Sequence, residues 1–589
     1  MTKYALVSVS DKSNLNIIVE FLYAKGYTIL STGGTYKYIY DYNENIRESL
    51  VQVSDYTGFP EILNGRVKTL HPKIYGGLLW DDRFDTTGIE KIDLVVVNLY
   101  PFQETVSNPD ATLDDAIENI DIGGVSLIRA AAKNFKNTRL LTSPHDYYHA
   151  TMMFDDPQFW RDMAIKGFDH VTEYDSAITQ YLSNDTLIYR RYSSMKQLKY
   201  GCNPYQRNAS LLTNSQNTFP FKIINGVPGY INCIDAIQSW SLVRELYDST
   251  GLVSAASFKH TAPAGVALAD RELTDTEAQF LGMENSVELN ASTSLQAYIK
   301  ARNCDPLSSF GDFIAICGTV DFACAKYISK CVCDGIIATN YTVEALETLF
   351  KKKSGKFIVL QGNTEAPSGI EYREIGGAVL SQDTNTKTLK LEDLNYVMTD
   401  TTQKLTTSEK RDMILATTTL KYTPSNSIAF ATDNTCVGIG AGQQNRLDCI
   451  KLAGNKSREW RLRHHPKVLA LNSLFREGMK RQERVNATIK YIRDDFTGNE
   501  FKLWSELFTN PPLKLTEAEK MEYLNNKNIK LVLSSDAFMP FRDNIDTANK
   551  YGVSSIVQPG GSVADSSVIG ACNEYGISMV FTNTRFFLH

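Results

Sequence analysis

The stretch from Tyr4 to Val9 reads as a buried strand. After the cap candidates Ser10 and Asp11, the apolar positions fall at Leu15, Ile18, Phe21 and Leu22, one face of a helix that Gly26 ends. Thr28-Ile29-Leu30 predicts a second strand, and Ser31-Thr32-Gly33-Gly34-Thr35 breaks it before another helix. Further strands are predicted at Leu50 to Val53, Leu94 to Val97 and Leu140-Leu141, with helices near Leu113 to Glu118 and Val125 to Lys133. Strands that alternate with helices in this way predict a parallel sheet covered on both faces, with ligand loops at the strand C-termini.

Residues 184 to 200 are polar and without a clear period, which marks a module junction. Beyond it the pattern is again mixed α/β, with apolar runs such as Phe313 to Ile316, Gly335 to Ala338 and Leu531 to Leu533. The expected domains are residues 1–195 and 196–589, the second long enough for two subdomains. Within it, Leu252 to Phe258 is a short apolar run followed by Lys259-His260 and then Thr261-Ala262-Pro263-Ala264-Gly265. Pro and Gly predict a turn there, so a Lys and a His stand side by side at a strand end. Burial and mutual repulsion would make such a pair a neutral base with a cationic companion, whereas a solvated loop would leave it inert.

Composition narrows the class. The chain has 589 residues, 43% hydrophobic and 22% charged, as in folded globular protein. A formal charge of −6 with no Lys/Arg-rich block gives no nucleic-acid surface, and no apolar stretch reaches membrane-spanning length. The ten cysteines form no CxxC pair, which argues against a disulfide framework or a zinc site and for a reducing, cytoplasmic compartment.

Several loops carry chemistry. Thr32-Gly33-Gly34-Thr35 and Ser10-Asp11-Lys12 each join a strand to a helix, where backbone N–H groups and the helix dipole suit a phosphate; a plain tight turn has the same composition. Arg66 and Lys68, alternating in extended chain, would face one side together. Asp121, before Ile122-Gly123-Gly124 and an Ala-rich helix, is an N-cap or an acid at a ligand. Asn98-Leu99-Tyr100 ends a strand as a polar rim. The Gly438 to Arg446 loop has the wrong spacing for a dinucleotide fingerprint, which sets a dehydrogenase aside. In Ser308 to Asp312 and Ser534 to Asp543, Phe310 and Phe538 are stacking aromatics or ordinary core residues.

Taken together, Ser8 to Lys12, Arg66 to Thr69, Asp121 to Gly124 with Lys133, Phe258 to His260, Lys421 to Thr423, Ser425 to Ser427, Gly438 to Arg446 and Arg463 to Pro466 closely resemble the bifunctional purine biosynthesis family. That family joins an aminoimidazole carboxamide ribonucleotide (AICAR) transformylase to an inosine monophosphate (IMP) cyclohydrolase, and the likeness covers nearly the whole chain. It implies a methylglyoxal-synthase-like cyclohydrolase domain, then a cytidine-deaminase-like transformylase domain in two subdomains. It further implies 10-formyltetrahydrofolate as cosubstrate, no metal, and a homodimer with shared transformylase sites. By the same resemblance His260 is the base, Lys259 the cation or the proton donor to the folate nitrogen, and Asn426 would polarise the formyl group and orient the His. Lys199, Tyr200, Arg446 and Arg585 would line the nucleotide site; Phe310, Gly311, Asp334, Leu447, Phe538, Asp543, Ser562 and Val563 would contact folate or nucleotide. For ring closure Lys133 would move the proton, with Lys68, Tyr100 and Asp121 orienting the reacting groups. Ser10, Asp11, Lys12, Thr32, Gly33, Gly34, Thr35, Arg66, Thr69, Val97, Asn98 and Ile122 would hold the nucleotide.

The chain departs from the family pattern at Lys199, usually Arg, at Tyr205, usually His, and at Gly560, more often Ser. A competing reading is a nucleotide-sensing or single-activity member, against which the presence of Lys68, Asp121, Lys133, Lys259 and His260 speaks.

Overall fold

The computed structural model describes residues 2–63, 66–214, 220–363, 369–400, 404–526 and 529–589. The chain divides into two compact units, Met1–Arg191 and Tyr192–His589.

The smaller unit is built on five parallel strands, β1 (Lys3–Ser8), β2 (Tyr27–Ser31), β3 (Leu50–Gln52), β4 (Ile92–Val97) and β5 (Arg139–Leu141), in the order β3-β2-β1-β4-β5. Both faces are buried, and the residues alternate as a strand requires: Ala5 and Val7 enter one core, Leu6 the other. The strand order reverses between β1 and β4, so their C-terminal ends splay their loops apart and leave a crevice.

The larger unit holds two short hairpins, β6 (Tyr192–Gln197) with β7 (Ser210–Asn214) and β14 (Ile370–Ile375) with β15 (Ala378–Asp383), beside an eleven-stranded sheet. That sheet comprises β8 (Phe221–Asn225), β9 (Ser254–Lys259), β10 (Ala262–Leu268), β11 (Asp312–Val320), β12 (Cys333–Tyr341), β13 (Ile358–Gly362), β16 (Ile428–Thr432), β17 (Thr435–Gly440), β18 (Val532–Ser535), β19 (Ser555–Gln558) and β20 (Ser578–Phe581). Its order is β20-β19-β18-β16-β17-β10-β9-β11-β12-β13-β8.

Leaving edge strand β8 aside, the order contains one topology twice. A helix (Tyr230–Thr250; Thr407–Lys421) leads into an antiparallel hairpin (β9–β10; β16–β17), and a second helix (Thr293–Arg302; Arg446–Leu462) crosses to a third strand beside the first (β11; β18). Two further parallel strands follow, and the halves join through β10 and β17. The turns match as well. His260 and Thr261 have φ of 55° and 60°, Asp433 and Asn434 have 50° and 54°, as two-residue hairpin turns demand. In each half an acid from the leading helix accepts the N–H of the second turn residue, Asp235 from Thr261 at 2.8 Å and Asp412 from Asn434 at 2.7 Å.

One sequence expectation is corrected here. Pro263 and Gly265 do not stop the strand; they lie inside β10, where a bulge accommodates them, and the turn is His260-Thr261 itself. Gly265 is required because a Cβ there would stand 2.2 Å from the Ala301 carbonyl of the crossing helix. The Gly438 and Gly440 pair likewise serves packing: Cβ atoms would meet the backbone oxygens of Ala453 and Cys449 at 2.1 and 2.5 Å. Gly438→Ala is therefore expected to destabilise the larger unit by about 3 kcal/mol or more, read as a lowered Tm.

Burial pushes the Asp412 carboxyl up to about 7. The native state keeps a proton that the unfolded chain loses near pH 4, so stability falls as pH rises between those values, by about 1 kcal/mol per unit, and that contribution is gone above pH 7. Asp412→Asn keeps the acceptor for Asn434 and is expected to remove this slope, measured as the difference in Tm between pH 5 and pH 8 in the two proteins.

Candidate functional sites

The crevice of the smaller unit is a cavity of about 560 Å³. It is lined by Ser10, Lys12, Thr32, Gly34, Thr35, Arg66, Lys68, Thr69, Val97, Asn98, Tyr100, Asp121 and Ile122, all expected from the sequence, together with Ser8, Val9 and Glu118, among others. Helix Gly33–Tyr42 opens onto it: Thr32 bonds the Ser8 hydroxyl at 3.0 Å and makes no side-chain cap, so the Thr32 side chain does not cover the helix N-terminus at the cavity, although the Thr35 N–H already donates to the Thr32 carbonyl at 3.0 Å. Gly33, not itself a lining residue, has φ of 41°, which favours glycine at that first position.

Some expected ligand residues turn out to brace the loops. Asn98 Oδ1 accepts the N–H groups of Ser10 and Asp11 at 2.6 and 3.0 Å, and its Nδ2 donates to the Asp11 carbonyl. The Thr35 hydroxyl both donates to the Val9 carbonyl and accepts its N–H. Asp11 is exposed and outside the lining; the Ser13 hydroxyl, and then the Ser13 N–H that its carboxylate takes at 2.8 Å, hold its pKa below the usual range. Arg66 pairs with Glu118, an acid 52 positions away that nothing in the local sequence announces.

Lys68, Tyr100 and Asp121 converge in the cavity, with Lys68 Nζ donating to the Tyr100 hydroxyl at 3.4 Å. Asp121 is both of the things its position allows: Oδ1 caps the Gly124 N–H at 2.7 Å and the carboxyl lines the cavity. Burial raises its pKa, opposed by that cap and by the Lys68 charge. Gly124 admits no side chain, because a Cβ would lie 2.6 Å from Asp121 Oδ2 and 2.7 Å from Leu99. Lys133 is not brought here. It is exposed in the last turn of helix Gly123–Lys133, about 15 Å along the axis from the end that lines the cavity.

In the larger unit the strand directions collect the remaining candidates on one edge of the sheet. The end of β9 bearing Lys259-His260, the starts of β11 and β12 next to Phe310, Gly311 and Asp334, and the start of β16 after Asn426 all lie there. So do the end of β17 before Arg446 and Leu447, and the ends of β18, β19 and β20 before Phe538 and Asp543, Ser562 and Val563, and Arg585. Lys199 and Tyr200 follow β6 instead, exposed, with the ammonium 5.8 Å from the ring centroid.

Lys259 is half-buried and its Nζ donates to the Phe310 carbonyl at 2.6 Å; the next residue, Gly311, holds a φ of 80°, which favours glycine. His260 is exposed at the hairpin tip, so the burial expected of the pair is not supplied by its own chain. Both turn residues hold left-handed backbone without being Gly or Asn, at a cost of about 1–3 kcal/mol each. Asn426 is fixed on every side: Oδ1 accepts from Arg446 at 2.9 Å, and Nδ2 donates to the Gln443 carbonyl at 3.1 Å. Arg446 in turn bonds Asp536 at 2.5 Å and Ser535 at 2.6 Å, an ion pair that is almost wholly buried. Nothing near Arg446 in the sequence announces Asp536, 90 positions away. Phe310 and Phe538 are 40% and 42% exposed, free to stack on a flat ring.

Among the departures, Tyr205 is exposed, and Gly560 has φ of 75° with Phe581 filling the place of a side chain. Among the described residues no group of three or more His, Cys, Asp or Glu side chains is placed to hold a metal ion, and no helix is long and apolar enough to cross a membrane.

A family model described as AICARFT/IMPCHase bienzyme matches residues 131–456, and one described as an MGS-like domain matches residues 15–126. The bifunctional purine biosynthesis protein PurH of Elusimicrobium minutum (strain Pei191) is 32% identical over 610 residues, covering 100% of this chain and 99% of that protein. The crystal structure of ForH is 28% identical, covers 32% of this chain and 100% of that one, and has a TM-score of 0.28.

Proposed function

This chain belongs to the AICARFT/IMPCHase bienzyme family and is a bifunctional transformylase and cyclohydrolase, and from that premise we propose how the two reactions divide between its sites. Ring closure takes place in the cavity of the smaller unit, and formyl transfer from 10-formyltetrahydrofolate to AICAR takes place on the sheet edge of the larger one. The observation that carries the division is the separate gathering of two candidate sets, one around a phosphate-suited crevice and one along a single sheet edge.

The amine of AICAR donates its lone pair into the ring and carboxamide, so it attacks only as a base removes its proton. His260 is that base. Lys259, held by the Phe310 carbonyl, faces the oxygen on which charge develops, and Asn426 polarises the formyl group. Ring closure is intramolecular: the carboxamide nitrogen attacks the formyl carbon and water leaves. Holding the reactive rotamer then supplies much of the rate, with Lys68, Tyr100 and Asp121 around it. Neither step calls on a metal.

The repeated strand order 2-1-3-4-5 supports two deaminase-like subdomains. A cytoplasmic home fits ten cysteines that are all free, nine of them buried. The spacing of the strand ends supports a homodimer. At roughly 4.8 Å per strand, the β12 and β20 ends lie about 38 Å apart along the sheet, farther than one nucleotide reaches. A second copy covering the exposed His260 would complete sites shared between the far ends of the two edges.

The pure protein, given AICAR and 10-formyltetrahydrofolate, is expected to release tetrahydrofolate and IMP, each followed separately. Mixing inactive His260→Ala and Asn426→Ala proteins tests the dimer. If each residue belongs to a different copy at one site, exchange of subunits restores up to about a quarter of the activity. No recovery after demonstrated exchange places both residues on one chain.

A further inference from the structure

A second cavity, of about 510 Å³, lies wholly within the larger unit and belongs to neither candidate site. It opens where the two halves of the sheet differ. One half crosses from its helix to its third strand through residues 303–311, whereas the other inserts residues 463–531, a helical module packed around Phe475, Tyr491, Trp504 and Phe508. The cavity sits between that insert and helices of the first half, and the Arg463 to Pro466 run, which neither reaction uses, begins the insert.

Its lining has one sign of charge. Arg463, Arg481, Arg484 and Lys330 all border it, and no Asp or Glu does. None of the four forms an ion pair with a carboxylate within 4 Å among the described residues. Arg463 is only 9% exposed; its guanidinium lies against the Phe280 ring and donates to the Asn303 carbonyl. Arg481 donates to the Tyr327 hydroxyl at 2.6 Å, and Arg484 Nε is buried without a hydrogen-bond partner. Burial pulls the Arg463 pKa down to about 10, outweighing the opposing charges of Asp305 and Glu459, neither of which forms an ion pair with it. A charge removed from water in this way is stable only with a counter-ion, and three planar forks around one cavity match the oxygens of phosphate or carboxylate. The rest of the wall is mixed: Met283, Val468, Leu469 and Val485 form an apolar part, and Gln279, Asn472 and Thr488 add uncharged polar groups.

We propose that this cavity binds an organic oxyanion with at least two negative charges and an apolar body, a phosphate monoester or a dicarboxylate. The basic forks take the charged group and the apolar part of the wall takes the remainder.

Calorimetric titration of the full-length protein with 4-nitrophenyl phosphate and with phthalate tests this, and the stronger of the two identifies the head group. Arg481→Ala/Arg484→Ala is expected to weaken binding about tenfold or more. Lys330→Glu, at an exposed position that leaves folding intact, is expected to act in the same direction. Lys12→Ala and Arg585→Ala, in the two candidate sites, are expected to leave it unchanged. The proposal is overturned if neither probe binds, if binding survives both cavity variants, or if Lys12→Ala or Arg585→Ala abolishes it. The proposed division of the two reactions is untouched by any of these results.

Discussion

His260→Asn slows formyl transfer by about 10²- to 10⁴-fold, the range a general base contributes, while ring closure of supplied formylated nucleotide proceeds at the unaltered rate. Asparagine is the informative replacement. It tolerates the left-handed backbone that position 260 holds, so the turn, the Asp235 bond to Thr261 and the placing of Lys259 persist while the base is lost. His260→Ala adds backbone strain and is expected to lose at least as much. Formyl transfer within tenfold of the parent in folded His260→Asn would remove His260 from the chemistry. Loss of both reactions in either variant would show that the two sites are not independent.

Asp121→Asn is expected to slow ring closure by about 100-fold or more and to leave formyl transfer unchanged. The amide oxygen still accepts the Gly124 N–H, so the helix keeps its cap and Tm moves little; what disappears is a carboxyl whose pKa burial raises and Lys68 opposes. Lys68→Ala is expected to match it. Lys133→Ala is expected to stay within about tenfold of the parent, because the helix carries that ammonium about 15 Å away from the Gly123 end that lines the cavity. If Lys133→Ala stops ring closure as completely as Asp121→Asn does, Lys133 reaches the reaction from a second copy and the role of a single chain in that site is overturned. Both assays start from formylated nucleotide, so neither depends on transformylase activity.

Much of this was legible locally. Alternation of Ala5, Leu6 and Val7 between two cores is a period of two that any apolar run bounded by cap and turn residues announces. The Thr32 to Thr35 loop and the Asp121 to Gly124 loop were found for the same reason: helix entry needs small and capping residues, and these are local requirements. The turn at His260 was placed too late because Pro263 and Gly265 are turn residues by local preference, and only the bulge and the closeness of Ala301 make them strand residues.

By itself the sequence determined the alternation of strand and helix, the loops able to hold phosphate, the Lys259-His260 pair and, through family likeness, the two reactions. Tertiary structure alone decided which loops meet. It doubled one topology across a single sheet, brought Glu118 to Arg66 and Asp536 to Arg446, withheld Lys133 from the cavity, and surrounded a second cavity with unpaired cations. The physical reason is range: caps, turns and periodicity are fixed by neighbours a few positions apart. Ion pairs, strand order and cavity walls are fixed by side chains tens to hundreds of positions apart, whose meeting depends on the energy of the whole packed unit.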